Sequence, residues 1–174
     1  MKKALLTFTI IMMGAVIASA QNFSGKWVFD LSKSKPDERS RIAEQTITVN
    51  HTGTDFTRET ISKRTPPPGR GQGMGGRGGF GGGDGTENLK LDGKEITVQV
   101  ESPMGPQPMS KKAELKNGTL YITSTRTMNS QMGEIKLITR EEWSMSADGK
   151  TLTIKNAVET PRGTMTSEMV YNKN

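Results

Sequence analysis

Residues 141–156 read Glu141-Glu142-Trp143-Ser144-Met145-Ser146-Ala147-Asp148-Gly149-Lys150-Thr151-Leu152-Thr153-Ile154-Lys155-Asn156, and their alternation decides the fold. Asp148-Gly149 suits a two-residue type I′ turn, in which both central residues take positive φ. Pairing Ala147 with Lys150 across it makes Met145 face Leu152 and Trp143 face Ile154. A slip of one residue would bring polar side chains to that face instead. The stretch predicts a hairpin with one apolar face.

The same signal recurs on both sides. Asn117-Gly118 pairs Lys116 with Thr119, which sets Leu115 beside Leu120 and Ala113 beside Ile122. Pro161-Arg162 pairs Thr160 with Gly163, so Val158 faces Met165, Ile154 faces Met169 and Leu152 faces Tyr171. Asp92-Gly93 pairs Leu91 with Lys94 and Leu89 with Ile96, with Val98 and Val100 on the same face. Further strands are expected at 25–31 (Trp27 and Phe29 on one face), at 45–51 (Ile47 and Val49) and at 55–63. Residues 36–44 read as a short helical segment. The fold class is all-β, an antiparallel up-and-down meander of about 8–10 strands, given turn signals at such regular spacing. One apolar face opposite a Thr/Lys/Glu-rich one means a single sheet that closes on itself, and closure into a barrel removes exposed edges.

The first twenty residues read as a signal peptide. Lys2 and Lys3 precede the largely apolar run Ala4–Val16, and Ala18-Ser19-Ala20 has the small-x-small pattern of a cleavage site. The run is short for a bilayer core of about 30 Å. No stable membrane insertion is expected after cleavage, and the location is periplasmic or secreted. The mature domain then spans 21–174, one domain by length. Losing Lys2 and Lys3 lowers the net charge of +6 by two, so the chain is only mildly basic and no nucleic-acid partner follows. With no cysteine there is no disulfide, thiolate metal site or cysteine nucleophile. The modest apolar content suffices for one core, and the chain is expected to be a monomer.

Gly25-Lys26-Trp27 resembles the Gly-x-Trp of lipocalins, whose Trp closes the barrel floor. Phe23-Ser24-Gly25-Lys26-Trp27 through Leu31-Ser32-Lys33-Ser34, and Glu142 through Ile154, resemble small exported bacterial lipocalin-like (calycin-type β-barrel) proteins of uncharacterised function. The likeness covers most of the mature chain outside the Gly-rich insertion. It implies the barrel. It also implies an arginine packed over Trp27, for which Arg140 and Arg162 are the candidates.

Residues 65–85 read as a disordered Pro/Gly-rich loop between two strands. Eleven of the seventeen residues 69–85 are glycine, and ordering so many costs too much backbone entropy for a packed core. Gly73-x-Gly75-x-x-Gly78 matches a dinucleotide fingerprint only formally, because no strand-then-helix context surrounds it. Arg70, Arg77 and Phe80 among glycines are of the kind that contact polyanions, but export argues against an RNA partner.

No catalytic machinery is recognisable, no cofactor is expected and no metal site is expected. His51 is the sole histidine and reads as a surface turn residue, without a second His, Cys or Ser at useful spacing. The methionines read as core filler rather than as thioether ligands. The register instead draws Glu141, Asn156 and Ser167 into one inward polar row, with Trp143, Ile154 and Met169 below it and Thr139, Val158 and Met165 above. A few polar groups between apolar rows suit a ligand pocket. Trp27, Glu141, Trp143, Asn156, Ser167 and Met169 are the candidate ligand-binding residues. Buried there, Glu141 should have a raised pKa unless a cation such as Arg126 or a ligand group compensates. The expected function is an exported, non-enzymatic small-molecule binding protein of the cell envelope, for a small apolar or amphipathic ligand. The alternative is an envelope structural or interaction protein, its barrel filled by side chains, whose Gly/Arg loop makes contacts.

Overall fold

Period-two alternation of apolar and polar residues produces ten antiparallel strands and almost no helix. The computed structural model describes residues 21–38, 40–66, 84–100, 105–130 and 133–174. The strands are β1 (Gly25–Phe29), β2 (Ile42–Thr52), β3 (Asp55–Arg64), β4 (Gly85–Lys90) and β5 (Asp92–Val100), then β6 (Gln107–Lys116), β7 (Thr119–Ser130), β8 (Gly133–Met145), β9 (Thr151–Thr160) and β10 (Gly163–Lys173). They form one sheet in the order β4-β3-β2-β1-β10-β9-β8-β7-β6-β5, which curls into a nearly closed barrel. The segment 1–20, read as a signal peptide, lies outside the described residues, as does most of the Gly-rich loop.

Two of the four turn readings hold in full, and a third keeps its strand register but not its turn. Lys116↔Thr119, Leu115↔Leu120 and Ala113↔Ile122 pair as expected, and Asn117 and Gly118 both have positive φ (50° and 79°), as a type I′ turn requires. Thr160↔Gly163, Val158↔Met165, Ile154↔Met169 and Leu152↔Tyr171 also pair as read. Met145↔Leu152 and Trp143↔Ile154 keep their register, but the turn between them is wider. Only Gly149 has positive φ there, and Ser146 closes the loop: its N–H donates to Thr151 O and its Oγ accepts from Thr151 N, each at 2.9 Å.

The Asp92-Gly93 hairpin does not form. β4 pairs with β3, β5 pairs with β6, and these consecutive strands are the two edges of the sheet. Gly93 has positive φ but Asp92 does not. The chain bends instead at Leu91, which is buried and donates its N–H to Thr54 O at 2.8 Å. Burial of Leu91 in the barrel floor draws the bend inward, so Leu89 is buried while Ile96, on the far side of the seam, is exposed.

The helical segment expected at 36–44 is also absent. A 3-10 turn occupies Leu31–Lys33, and strand β2 already begins at Ile42. The segment has no apolar stripe to bury, and so short a helix is marginal without one. Side-chain bonds instead tie the stretch before it, residues 30–34, to β10, and Ser40 N donates to Asp37 O in a turn at 2.8 Å. The Asp30 carboxylate accepts from Ser32 N and Asn172 Nδ2, and Ser34 Oγ donates to Asp30 O while accepting from Val170 N. This stretch covers Val170 on the outer face of β10.

The core occupies the end of the barrel where residues 53–54, 91, 117–118 and 146–150 make their turns. Phe23, Trp27, Phe56, Leu120, Trp143 and Leu152 are fully buried there. Phe23 lies across the floor, where its carbonyl accepts from Trp27 Nε1 at 2.9 Å and its ring meets Trp143 edge-on. His51 belongs to this floor and is not a surface residue. It is buried, stacked on Phe23, and its Nδ1 accepts from Phe23 N at 3.3 Å, so Nε2 carries the proton that faces Gly53 O. The outside polar ends of its strand gave no hint that Phe23 would cover it.

The cation over Trp27 is Lys173, 5.2 Å from the ring centroid, and neither arginine candidate. Arg140 points outward to pair with Glu159, and Arg162 sits in the turn at the opposite end. Gly25, at φ +143°, leaves room for the lysine stem: a Cβ there would lie 2.8 Å from Lys173 Cε. Gly25→Ala is expected to cost about 1–3 kcal/mol from the strained backbone alone. Urea unfolding followed by tryptophan fluorescence checks this, and an unchanged midpoint would remove Gly25 from the account.

Candidate functional site

Above the aromatic floor the inner face turns polar. The pairs Glu141↔Asn156 and Asn156↔Ser167 form as read, one row across β8, β9 and β10. Glu141 is buried, and its carboxylate accepts from Trp143 Nε1 at 2.9 Å. Its main partner comes from the opposite wall. Arg58, on β3, grips it in a two-pronged contact, Nη1 to Oε2 at 2.5 Å and Nη2 to Oε1 at 3.0 Å. The third edge of the same guanidinium faces Glu87 on β4, Nε to Oε2 at 2.6 Å, close in charge though not aligned as a hydrogen bond. Lys111 on β6 pairs with the other oxygen of Glu87. Arg58 also lies over the Trp143 ring, 5.5 Å from its centroid.

This web explains the ionisation of Glu141. Burial pushes its pKa up, but the adjacent Arg58 charge and the hydrogen bonds from Arg58 and Trp143 outweigh burial and hold it below the usual carboxylate range. The compensating cation is Arg58 and not Arg126. On the other side of the pair, burial alone would lower the Arg58 pKa, and the two carboxylates raise it above its usual value. A buried carboxylate locked in this way is a poor general acid or base at neutral pH.

A second polar group stands beside the web. Tyr171 Oη donates to Gln45 Oε1 at 2.5 Å, and Gln45 Nε2 donates to Ser62 Oγ at 2.9 Å. Burial and the Glu141 charge push the Tyr171 pKa up, so the phenol stays a donor. Between this pair and the web lies a cavity of about 40 Å³. Ile42, Gln45, Ile47, Arg58 and Thr60 line one side, and Glu141, Ile154, Asn156, Met169 and Tyr171 the other. That volume holds about two or three waters, far below the roughly 300–1,000 Å³ of a pocket for a drug-sized molecule.

Of the six residues expected to bind a ligand, Glu141, Asn156 and Met169 line this cavity, and Trp143 touches it through Glu141. Ser167 is half-buried beside Asn156 in the same row. Trp27 lies in the sealed floor, away from the cavity. Arg58, Glu87, Lys111 and Gln45 were not among the expected residues. The alternation Phe56, Arg58, Thr60 along β3 is the signal that points Arg58 inward. Among the described residues no cluster of three His, Cys, Asp or Glu side chains is placed to hold a metal ion.

No family model and no curated protein matches the chain. Among solved structures, the chain is similar to zebrafish ileal bile acid-binding protein complexed with cholic acid, at 15% identity and a TM-score of 0.51, over 87% of this chain and 98% of that one. It is also similar to a fatty-acid-binding protein from Manduca sexta (9% identity, TM-score 0.46, 87% and 99% covered). A third is fatty-acid-binding protein 1 of Echinococcus granulosus (13% identity, TM-score 0.47, 87% and 96% covered). The likeness to the zebrafish protein is one of fold, an antiparallel β-barrel.

Removing one partner of a buried pair strands the other charge, so Glu141→Gln and Arg58→Met should each destabilise by about 3–5 kcal/mol. The double variant Arg58→Met/Glu141→Gln should lose less than the sum, which a double-mutant cycle in urea measures. Additive losses would mean that the pair is not coupled. Because the folded-state pKa of Glu141 lies below its ordinary 4.5, its contribution is full above about pH 4.5 and disappears as pH falls through the lower folded value. Stability measured from pH 6 to pH 3 should therefore fall more steeply for wild type than for Glu141→Gln.

Proposed function

We propose that this is an exported, non-enzymatic, monomeric binding protein that holds a small, partly apolar molecule in the upper half of its barrel, above the charged web. One contrast carries the reading. Below the web the inward-facing side chains are buried apart from Leu115 and Met145, which pack partly buried against the core, whereas Val98, Val100, Met109 and Met165, inward by register above it, are all half-buried. Apolar side chains facing inward yet reached by solvent are what an empty ligand site leaves behind. Leu137 and Val158 complete the apolar wall there. The zebrafish protein of the same fold is complexed with cholic acid, an occupant of this general kind. Export rests on the composition of residues 1–20, and it places the protein in the periplasm or outside the cell.

A rival reading, an envelope interaction protein with a filled barrel, is favoured by the small cavity at the web. The two differ in what the upper barrel takes up. Titration with the neutral dye N-phenyl-1-naphthylamine should saturate at one site per chain, and Leu137→Trp, which fills the wall, should weaken it about tenfold or more by displacing apolar contact. Absence of saturable binding, or a Leu137→Trp variant that binds as wild type does, favours the filled barrel. Fractionation of the native host, with N-terminal sequencing of the product, should find a chain beginning at Gln21 outside the cytoplasm.

A further inference from the structure

The charges inside the barrel do not balance. Arg58, Glu141, Glu87 and Lys111 close on one another as two cations and two carboxylates. Arg126 faces inward one pair further up, opposite Met109 on β6 and Leu137 on β8. Its cross-strand neighbours are therefore apolar, and its Nε is buried without a hydrogen-bond partner among the described residues. Arg126 is half-buried, and its one buried, unsatisfied donor costs free energy that an anion would return.

We propose that Arg126, with Lys111 beside it, is an anion subsite, and that the occupant of the upper barrel is an amphiphile carrying one negative head group of the carboxylate or sulfonate type. This rests on the reading of the upper barrel as a ligand site. Lys111 pairs with Ser124 and Met109 with Arg126, so Lys111 and Arg126 are diagonal neighbours on one face of adjacent strands, within about 7–8 Å at the backbone. Long side chains at that spacing reach a common oxygen cluster. Lys111 uses one of its donors on Glu87 and keeps others. The guanidinium offers a planar fork that fits a two-oxygen anion.

Glu87 does not take this role, because turning toward Arg126 would release Arg58 and Lys111 together. The head group therefore rests on the web, and the apolar part points past Met109, Val98 and Leu137 toward the end of the barrel where residues 161–162 turn. A neutral ligand of the same shape leaves Arg126 unpaired.

Two dyes with one ring system test this on the full chain. 1-Anilinonaphthalene-8-sulfonate carries a sulfonate, and N-phenyl-1-naphthylamine lacks it and is the more apolar. In an apolar cavity without a cation the neutral dye binds more tightly. Here the sulfonate is expected to bind about tenfold or more tightly than the neutral dye, the scale of one charge-assisted hydrogen bond. Arg126→Gln should abolish that preference while changing the neutral dye less than about twofold, and Arg126→Lys should keep part of it. Circular dichroism of each variant reports folding, and the wild-type comparison of the two dyes stands whether or not a variant folds. Equal or weaker binding of the sulfonate by wild type overturns the anion subsite and leaves the ligand reading intact. So does an undiminished sulfonate preference in Arg126→Gln. Saturable binding of neither dye overturns both.

Discussion

One guanidinium joins walls of the barrel that no backbone hydrogen bond connects. Arg58 holds Glu141 across the interior and Glu87 next to it, and Lys111 extends the contact to β6. β4 and β5 are the free edges of the sheet, so between them the wall is held by side-chain charge and by the buried bend at Leu91. In a low-dielectric interior such pairs are strong only when each remaining polar atom is also satisfied. Trp143 serves that need from the floor by donating to Glu141, and the web in turn orients the Trp143 ring beneath Arg58.

The web also divides the interior. Below it, Phe23 and Phe56 meet Trp143 edge to face, and Trp27, bonded to the Phe23 carbonyl, is fully buried. Above it the lining is apolar but loosely covered. At the boundary between the two halves, fixed charges meet an adaptable, methionine-containing wall.

Much of this was legible in the chain itself, for identifiable reasons. Asn117-Gly118 and Pro161-Arg162 join strands whose apolar residues fall in step, and local chemistry sufficed to set their register. The row Glu141–Asn156–Ser167 followed by carrying that register sideways. Asp92-Gly93 has the same turn chemistry, but a turn signal says only that the chain bends, not which strands then pair. There, burial of Leu91 and the pairing of each strand with its other neighbour prevailed. Arg58 was missed because its partner lies 83 residues away. A charged residue on an otherwise inward face is intelligible only once that partner is known. His51 was read as exposed for a similar reason: its cover, Phe23, comes from a segment 28 residues distant.

The strand order has a consequence for how the molecule assembles. Strands β1–β4 form one run of sequential hairpins and ladders, and β5–β10 form another, so each can zip up from local turns. Backbone hydrogen bonding joins the two runs along β10, through the ladder Trp27↔Lys173, Val28↔Asn172 and Phe29↔Tyr171 and the bridge Lys35↔Glu168 beyond it. The ladder's partners are nearly the whole chain apart, and closing so long a loop carries the largest entropic penalty of any contact in the fold. The barrel is thus two runs, of four and six strands, and β10 is the strand through which they are joined.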